Sequence, residues 1–434
     1  MPQRRPARAA RAGSPRRAER PLVARTVAID DPGPLLSLLP RLEDPAGICA
    51  WVRRGEGMVG WGRALSFDCA GSDRFERAER WWRDTVDHAV VRDDVLLPGT
   101  GPVAFGSLSF SGESPSGATL VVPEVVVGRR GDQWWVSTFS TGSLLPATVQ
   151  PAQGPAPERP ETVVFADASQ ASRPWTGSVA EAVGRIGAGE LDKVVLARSV
   201  QASARSGIDP RWLLAQLAQG YDNTWVFAVD GLVGATPERL VRLEKGLITS
   251  RVLAGTIQRT GDDARDLALA ASLARSSKDL EEHEYAVRSV AQALAPHCSS
   301  MNVPEAPFVL HLANVMHLAT DVAGVLSDSA SSLRLAASLH PSAAVCGTPT
   351  DRAFAAIAEL EGMDRGRYAG PVGWLDAAGD GDWAIALRCG AYDRADPRRL
   401  ELFAGCGIVA GSDPAMELAE SEAKLIPMKC ALTG

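Results

Sequence analysis

Two carboxylates and an ammonium near the C-terminus are spaced to share one face of a helix. Asp413, followed by a proline, is typical of a helix N-terminus, where the acid caps free N–H groups. At about 3.6 residues per turn, Glu417, Glu420 and Lys424 then lie on one stripe, while Glu422 points away. Such a stripe could bind Mg²⁺ together with an anionic ligand, and a solvated face with an ordinary ion pair is the alternative interpretation.

A second acidic pair lies in a segment whose apolar spacing predicts one helix over residues 263–294. Asp279 and Glu282 are three positions apart in that helix and therefore share a face. Mg²⁺ usually takes one or two protein carboxylates and completes its shell with water and ligand oxygens. Two helices that each offer an acidic pair predict a Mg²⁺ site between them, with ordinary surface charge as the alternative.

Three further positions could supply a base, an acid or backbone hydrogen bonds. Lys193 stands at the mouth of a strongly apolar strand, where desolvation helps an ammonium to lose its proton and act as a base. Glu238 follows Pro237 in a rigid turn, and a partly buried carboxyl with a raised pKa can act as an acid. Gly255 ends a strand and lets backbone N–H groups approach a ligand. Each of the three also fits a structural role.

Two more segments are suited to carboxylate ligands. Arg388 ends an apolar strand, with Tyr368 upstream, and the fork of a guanidinium matches a carboxylate. Gly405 and Gly407 open another strand, whose backbone N–H groups could bind a second carboxylate. A β-bulge or close packing of strands explains the two glycines equally well.

These residues must be positioned by the strands and helices of an α+β fold. Residues 27–145 show short apolar runs broken by Gly, Pro and Asp, which predict strands with tight turns and one helix at about 72–90. A Pro-rich stretch over 146–175 predicts a surface loop, and residues 176–434 alternate strands with longer helices. No regular βαβ period occurs, which disfavours a doubly wound sheet. We therefore expect a single domain over 27–434.

Charge and hydropathy exclude several classes of protein. Residues 1–26 carry eight Arg and one acid, so this head is +7 and the rest of the chain, from a total of −7, is −14. We expect the head to be a disordered extension. The acidic remainder excludes nucleic acid and anionic membranes as partners, and no apolar run approaches the roughly 18 residues of a transmembrane helix. No phosphate-binding glycine motif follows a strand.

The seven Cys residues are scattered along the chain and show no C-x-x-C spacing. They predict reduced thiols in a cytoplasmic protein, not a disulfide framework or a zinc site. A monomer is preferred, because the sequence shows no coiled-coil pattern or sustained free apolar stripe.

Nine segments, in order along the chain, are similar to motifs of the chorismate-utilising enzyme family. This family includes isochorismate synthase, salicylate synthase, anthranilate synthase component I and aminodeoxychorismate synthase. The resemblance implies one chorismate-binding domain, built as an antiparallel-sheet-rich sandwich with helices packed outside. The segments span residues 189–425 and read LDKVVLARSV, GATPERL, VLAGT, KDLEEHEYAV, VMHLATDV, LHPSAAVCGTP, RYAGPVGW, ALRCG and AGCGIVAGSDPAMELAESEAKL.

The resemblance also implies a metal site and a substrate site. Glu282 and Glu420 would hold Mg²⁺, with Asp279 and Glu417 as neighbouring or water-mediated partners. The substrate, chorismate, would be held or lined by nine further residues, with His317 in a positioning role. These are Gly255, Thr256, His317, Ala344, Tyr368, Arg388, Gly405, Gly407 and Lys424.

The branches of the family differ in the nucleophile, and this chain resembles the isochorismate synthase branch. Lys193 would deprotonate a water that attacks ring C2 of chorismate, while Glu238 protonates the departing C4 hydroxyl. Family members that make anthranilate lack a Lys at the position of Lys193. Aminodeoxychorismate synthases keep it but carry a second Lys where this chain has Ala254. The product would feed menaquinone or siderophore synthesis.

Two alternatives stay open beside isochorismate synthase. Salicylate synthase carries a characteristic Thr where this chain has Ala344, and the smaller side chain favours a reaction that stops at isochorismate. An inactive chorismate-binding subunit is the other alternative, and the presence of the base, the acid and the metal carboxylates disfavours it. Arg251 stands directly before the VLAGT segment, at a position where other members of the family usually have Glu or Pro. We expect it either to pair with a pocket acid or to face solvent.

Overall fold

The computed structural model describes residues 20–167, 174–311 and 315–434, without the side chains of Thr256, Lys278 and Glu282. Eight α-helices lie in this described part. They are α1 (Arg74–Asp87), α2 (Trp175–Gly187), α3 (Pro210–Gly220), α4 (Asp263–Leu273), α5 (Ser277–Leu294), α6 (Ser332–Leu339), α7 (Thr350–Leu360) and α8 (Pro414–Thr433).

The strands are mostly short, as expected for apolar runs that Gly and Pro interrupt. Their bounds are β1 (Leu22–Ile29), β2 (Ile48–Arg53), β3 (Glu56–Trp61), β4 (Leu65–Cys69), β5 (Val90–Asp93), β6 (Val103–Leu108), β7 (Ala118–Val122), β8 (Val125–Arg130), β9 (Gln133–Thr141), β10 (Val164–Asp167), β11 (Lys193–Ser203), β12 (Trp225–Val229), β13 (Leu232–Thr236), β14 (Arg239–Glu244), β15 (Leu247–Gln258), β16 (Cys298–Asn302), β17 (Phe308–His311), β18 (Val315–Leu326), β19 (Gly347–Thr348), β20 (Pro371–Asp376), β21 (Gly381–Ile385), β22 (Cys389–Asp393) and β23 (Asp396–Ile408).

The described strands form two large sheets. One sheet has 13 strands in the order β10-β11-β23-β22-β13-β12-β2-β3-β8-β9-β1-β5, with β19 beside β11. The other has 10 strands in the order β16-β18-β15-β14-β21-β20-β6-β7-β4, with β17 beside β18. Strand β1 runs parallel to β5, whereas the long pairs β11 with β23 and β15 with β18 are antiparallel. The predicted α+β fold with antiparallel-rich sheets is confirmed.

Large aromatic side chains fill the core where the two sheets meet. Trp51 and Phe227 come from the first sheet, Phe105 and Trp383 come from the second, and all four belong to one buried cluster. Burying a side chain of this size contributes roughly 1.5–3 kcal/mol. The Trp51 indole N–H donates to Asp382 Oδ2 at 3.4 Å, so a polar contact also joins the sheets.

Helices cover the outer faces of both sheets. Leu217 of α3 and Met428 of α8 pack with Leu402 of β23, on the first sheet. Val287 of α5 packs with Val252 of β15, on the second. Helices α5 and α8 carry the two acidic pairs that the sequence singled out, and each is held against a long strand.

The prediction of one helix over residues 263–294 is wrong, because the chain breaks between α4 and α5. The Ser276 hydroxyl caps the second helix by accepting from the Asp279 N–H at 3.3 Å. An N-cap Ser supplies a hydrogen-bond partner that a continuing helix turn would otherwise provide. Asp279 therefore lies in the first turn of α5, and not in the middle of a long helix.

The predicted boundary of the Arg-rich extension at residue 26 is also wrong. Strand β1 starts at Leu22, and Leu22, Val23 and Ala24 are buried between β9 and β5. Three consecutive apolar residues at the end of the Arg-rich head start this strand, and both of its faces are covered there. Residues 164–167 of the predicted Pro-rich loop likewise form β10, beside the end of β11. In the described ranges, no helix is long and apolar enough to cross a membrane.

Candidate functional site

A cavity of about 880 Å³ opens where β11, β23 and β15 meet the helices α5 and α8. The predicted site residues come together here, apart from Thr256 and Glu282, whose side chains lie outside the described part of the chain. Those that line the cavity are Lys193, Glu238, Gly255, Asp279, His317, Ala344, Tyr368, Arg388, Gly405, Gly407, Glu417, Glu420 and Lys424.

Lys193 is the first residue of β11, and its side chain crosses the neighbouring strand. In the antiparallel pair, β11 runs beside β23 with Val195 opposite Gly407. A Cβ atom on Gly407 would lie only 2.9 Å from Lys193 Cε and 3.5 Å from Nζ. The missing side chain at Gly407 therefore gives the Lys193 ammonium its path into the cavity.

Glu238 lies in the short turn between β13 and β14, and hydrogen bonds fix that turn. The Thr236 hydroxyl donates to the Ile385 carbonyl at 2.7 Å and accepts from the Glu238 N–H at 3.3 Å. Burial raises the pKa of the Glu238 carboxyl to about 7, against the opposing charges of Lys193, Arg388 and Lys424. The carboxyl can therefore hold a proton near neutral pH and deliver it to a leaving group.

Arg388 sits between β21 and β22 in a left-handed backbone conformation, with φ at 49°. Its carbonyl accepts from the Ala235 N–H at 3.1 Å, which ties this unusual residue to β13. Non-glycine residues in this conformation are uncommon and often occur at functional sites. The strained backbone directs the guanidinium into the cavity. There its positive charge partly offsets the burial that raises the pKa of Glu238.

Tyr368 and Gly405 form the wall beside Arg388. The Tyr368 ring stacks on Phe403 with centroids 5.2 Å apart, and burial raises the pKa of its hydroxyl, which stays protonated as a donor. A Cβ atom on Gly405 would lie 2.9 Å from the Leu196 carbonyl oxygen and 3.3 Å from the Tyr368 hydroxyl. Glycine is therefore required for the close approach of these groups.

Helix α8 confirms the predicted stripe of charges. The Asp413 carboxylate accepts from the N–H groups of the second and third residues after it, both at 3.0 Å, as an N-cap should. Lys424 Nζ lies 2.7 Å from Glu420 Oε1 and donates to the Gly405 carbonyl at 2.8 Å. Glu422 points away from the cavity and pairs with Arg198.

Gly255 and His317 line the opposite side of the cavity. Gly255 adopts φ +71° at a bulge between β15 and β18, and a Cβ atom there would lie 3.2 Å from Asp279 Cβ. His317 Nδ1 lies 3.4 Å from the Gly255 carbonyl oxygen. Burial and the charge of Arg388 lower the pKa of His317 to about 4, so the imidazole is neutral at physiological pH. A neutral imidazole can position a ligand without adding charge.

The acidic side of the cavity offers oxygen ligands suited to a divalent cation. Ligand atoms of Glu417, Glu420 and Cys406 lie within 4.8 Å of one another. Burial raises the pKa of Glu417; burial also opposes ionisation of Glu420, yet the adjacent Lys424 charge brings the Glu420 pKa below its usual value. Asp279 of α5, whose carboxylate accepts from the Ser276 hydroxyl, lines the same cavity. Closely spaced carboxylates of this kind fit Mg²⁺.

Several cavity residues are not among those that the sequence singled out. Arg365, Phe403 and Glu281 line the cavity, and Tyr285 and Met416 lie at its mouth with 59% and 71% of their surface exposed. Glu281 and Tyr285 lie in the segment KDLEEHEYAV, and Met416 lies in the last of the nine segments, so the motifs gave a signal for these three. The wall position of Arg365 depends on contacts that only the folded chain makes.

Arg251 contacts none of the pocket acids whose side chains the structure describes. It lies on β15 and forms a two-point ion pair with Asp321 on the neighbouring β18, with Nε–Oδ1 at 2.7 Å and Nη2–Oδ2 at 2.8 Å. The register of these two strands places the residues directly opposite each other. The unusual Arg at this position therefore makes a cross-strand ion pair and is not part of the cavity wall.

The geometry agrees with a comparison against known families. The model of the family described as "Chorismate binding enzyme" matches residues 9–433, nearly the whole chain. The chain belongs to this family. The family resemblance that the motifs implied is therefore confirmed, and it extends well before the first of the nine motif segments.

Relatives in this family are similar over most of their length. A Pseudomonas aeruginosa protein named salicylate biosynthesis isochorismate synthase is 35% identical over an alignment of 442 positions, which covers 95% of this chain and 90% of the relative. Isochorismate synthase DhbC of Bacillus subtilis is 42% identical over an alignment of 270 positions, which covers 59% of this chain and 67% of the relative. A solved Bacillus anthracis structure, described as a 2,3-dihydroxybenzoate-specific isochorismate synthase, has a TM-score of 0.72 at 31% identity, covering 90% of this chain and 97% of its own.

Proposed function

We propose that the protein is an isochorismate synthase, which isomerises chorismate by moving a hydroxyl group from ring C4 to C2. The observation that carries this proposal is that Lys193 and Glu238 line one cavity, and the Glu238 pKa is about 7. A base and an acid of this kind are what an allylic exchange of hydroxyl groups requires. The names of the relatives in the family support the same reaction.

In the proposed reaction, Lys193 acts as the neutral amine and accepts a proton from a water molecule as the water oxygen bonds to C2. The two conjugated ring double bonds shift, the C4–O bond breaks, and Glu238 gives its proton to the departing hydroxyl, which leaves as water. Proton exchange with solvent then returns Lys193 to the amine and Glu238 to the acid. One water enters and one leaves, so the reaction is an isomerisation. The turn hydrogen bonds from Thr236 hold Glu238 in place for this transfer.

The cations of the cavity suit the two carboxylates of chorismate. Arg388 can bind one carboxylate through its guanidinium fork, and Tyr368 offers a protonated hydroxyl beside it. Lys424 and the backbone at Gly405 and Gly407 form a further carboxylate site on the same wall. Because burial weakens screening by water, these charges act strongly on a bound dianion.

We propose Mg²⁺ as the cofactor, held by Glu420 and Glu282, with Glu417 and Asp279 as neighbouring partners. The spacing of the Glu417 and Glu420 oxygens supports this assignment, and Asp279 faces the same cavity. When bound, Mg²⁺ would neutralise a substrate carboxylate and the protein acids that face it. Without a cation, these acids would repel a dianionic substrate.

The test is turnover with chorismate and Mg²⁺, in the absence of ammonia and glutamine, with products separated by chromatography. Isochorismate as the main product supports the proposal. Salicylate and pyruvate would instead assign the protein to the lyase branch, which the small Ala344 side chain in the cavity wall disfavours. Absence of turnover, with chorismate still bound in calorimetry, would identify a binding subunit.

A further inference from the structure

One edge of β11 has a gap in its strand pairing just after Lys193. At its start, β11 pairs with β19 through Lys193 and Val194, and farther on it pairs with β10 from Val200 to Ser203. Between these two pairings, no described strand lies beside this edge. Buried backbone N–H and C=O groups need hydrogen-bond partners, so something else must satisfy them.

Side chains and one loop carbonyl fill this gap. The Ala197 N–H donates to Glu361 Oε1 at 2.7 Å, and Arg365 Nη2 donates to the Val195 carbonyl at 2.7 Å. On the same edge, the Trp175 indole N–H donates to the Ala197 carbonyl at 3.0 Å. The Val195 N–H donates to the carbonyl of Cys346 at 2.8 Å. All four backbone groups of Val195 and Ala197 are thereby bonded.

Glu361 and Arg365 form a buried ion pair that joins this edge to the cavity wall. They are 5% and 3% exposed, and Arg365 Nε donates to Glu361 Oε2 at 2.9 Å. The other end of the guanidinium, Nη1, donates to the Val345 carbonyl at 2.8 Å, and the group stacks 4.2 Å above the Phe110 ring. One planar guanidinium thus bonds the strand that begins with Lys193 and the loop that contains Ala344.

A buried ion pair is a weak source of stability, because both charges lose their water. Here, the pair is instead a rigid connection between two walls that must keep their distance during the reaction. Val195 is two residues after Lys193, and Val345 follows Ala344 directly. A displacement of about 1 Å at reacting groups is enough to slow an enzyme about 100-fold.

We propose that Glu361 and Arg365 are positioning residues, which hold the strand of Lys193 against the Ala344–Val345 wall. This inference rests on the proposed function, since it assigns the pair to the placement of the base. The Arg388 and Lys424 side chains, which we assign to the substrate carboxylates, make no described contact with the pair. Substitution of the pair should therefore slow the reaction more than it weakens binding.

The test compares Glu361→Gln and Arg365→Lys with the wild-type protein by steady-state kinetics with chorismate. Glutamine keeps an oxygen acceptor for the Ala197 N–H, and lysine keeps the charge but cannot reach three groups at once. We expect kcat to fall at least about tenfold in each variant, while KM changes less than about threefold. If Arg365→Lys does not fold, the near-isosteric Glu361→Gln variant alone decides the matter.

Hydrogen exchange gives a readout that does not depend on activity. Amides of residues 194–198 should exchange at least about threefold faster in both variants than in the wild type. The matched control is Glu359→Gln, which removes an exposed ion pair with Arg185 two residues from Glu361 and should leave both readouts unchanged. Inactivity of the wild type would overturn the proposed function, while the exchange rates would still test the contact.

The inference is overturned if kcat in Glu361→Gln stays within about twofold of the wild type. It is also overturned if KM rises as much as kcat falls, or if Glu359→Gln produces the same losses. Unchanged exchange across residues 194–198 would show that the pair does not hold the strand.

Discussion

Replacing Glu238 with glutamine should stabilise the folded protein while removing the acid from the cavity. Burial raises the pKa of this carboxyl from its ordinary value of 4.5 to about 7, even though three cations lie nearby. A difference of about 2.5 pKa units corresponds to about 3 kcal/mol in the cost of ionising the group. Glutamine carries no charge, so the variant avoids this cost.

The stabilisation should depend on pH in a defined way. Below about pH 4.5, the carboxyl is protonated in both the folded and the unfolded chain, and the substitution changes little. As the pH rises from 4.5 to about 7, the unfolded chain releases this proton while folded Glu238 keeps it, so the wild type loses stability. Above about pH 7, the variant should be more stable by up to about 3 kcal/mol.

The assay is urea unfolding, followed by the fluorescence of the 11 tryptophans, at about pH 5 and about pH 8. In parallel, kcat should fall about 100-fold or more, because the departing hydroxyl loses its acid. Glu422→Gln is the control: Arg198 and Lys429 pair with Glu422 and its pKa is lowered, so this variant should lose stability near neutral pH. An E238Q protein no more stable than the wild type at pH 8 would refute the reasoning.

Three further substitutions test the rest of the site. Lys193→Met should lower kcat about 100-fold or more and leave the chorismate dissociation constant nearly unchanged, measured by kinetics and calorimetry; wild-type turnover would remove Lys193 from the mechanism. Glu420→Gln should raise the Mg²⁺ concentration for half-maximal activity at least about tenfold, and an identical titration would exclude Glu420 as a ligand. Gly405→Ala should lower activity, because its Cβ would lie 2.9 Å from the Leu196 carbonyl oxygen; Gly184→Ala on α2, where a Cβ meets nothing within 4 Å, should behave as wild type in the same assay.

Local chemistry in the sequence predicted the helix of the acidic stripe well. The Asp413 cap and the spacing of Glu417, Glu420 and Lys424 depend only on helix geometry, and the structure has both. The same kind of signal at Ser276 marks the start of α5, but the apolar spacing on both sides concealed it. Periodicity shows which face is buried, and it does not show where a capping side chain interrupts the helix.

Long-range contacts explain what the sequence could not predict. The left-handed conformation of Arg388 is held by a bond to Ala235, more than a hundred residues earlier in the chain. The Glu361–Arg365 pair has the spacing of an ordinary i,i+4 ion pair. Its contacts with the gap in pairing at Val195 and Ala197 cannot be deduced from that spacing. Both features depend on how distant segments pair in the folded sheets, because that pairing decides which strand edges lack a neighbouring strand.

The distribution of charge, more than its total, determines which ligands the cavity accepts. The chain carries −7 overall, yet Lys193, Arg388 and Lys424 face the same space, and their charges all lower the pKa of Glu238. The carboxylates of Glu417 and Glu420 lie at the α8 side, where a cation is needed before a second negative group can approach. Under the proposed function, an acidic protein can therefore bind a small dianion, because three cations converge on one cavity and the acids on its α8 side would hold the metal.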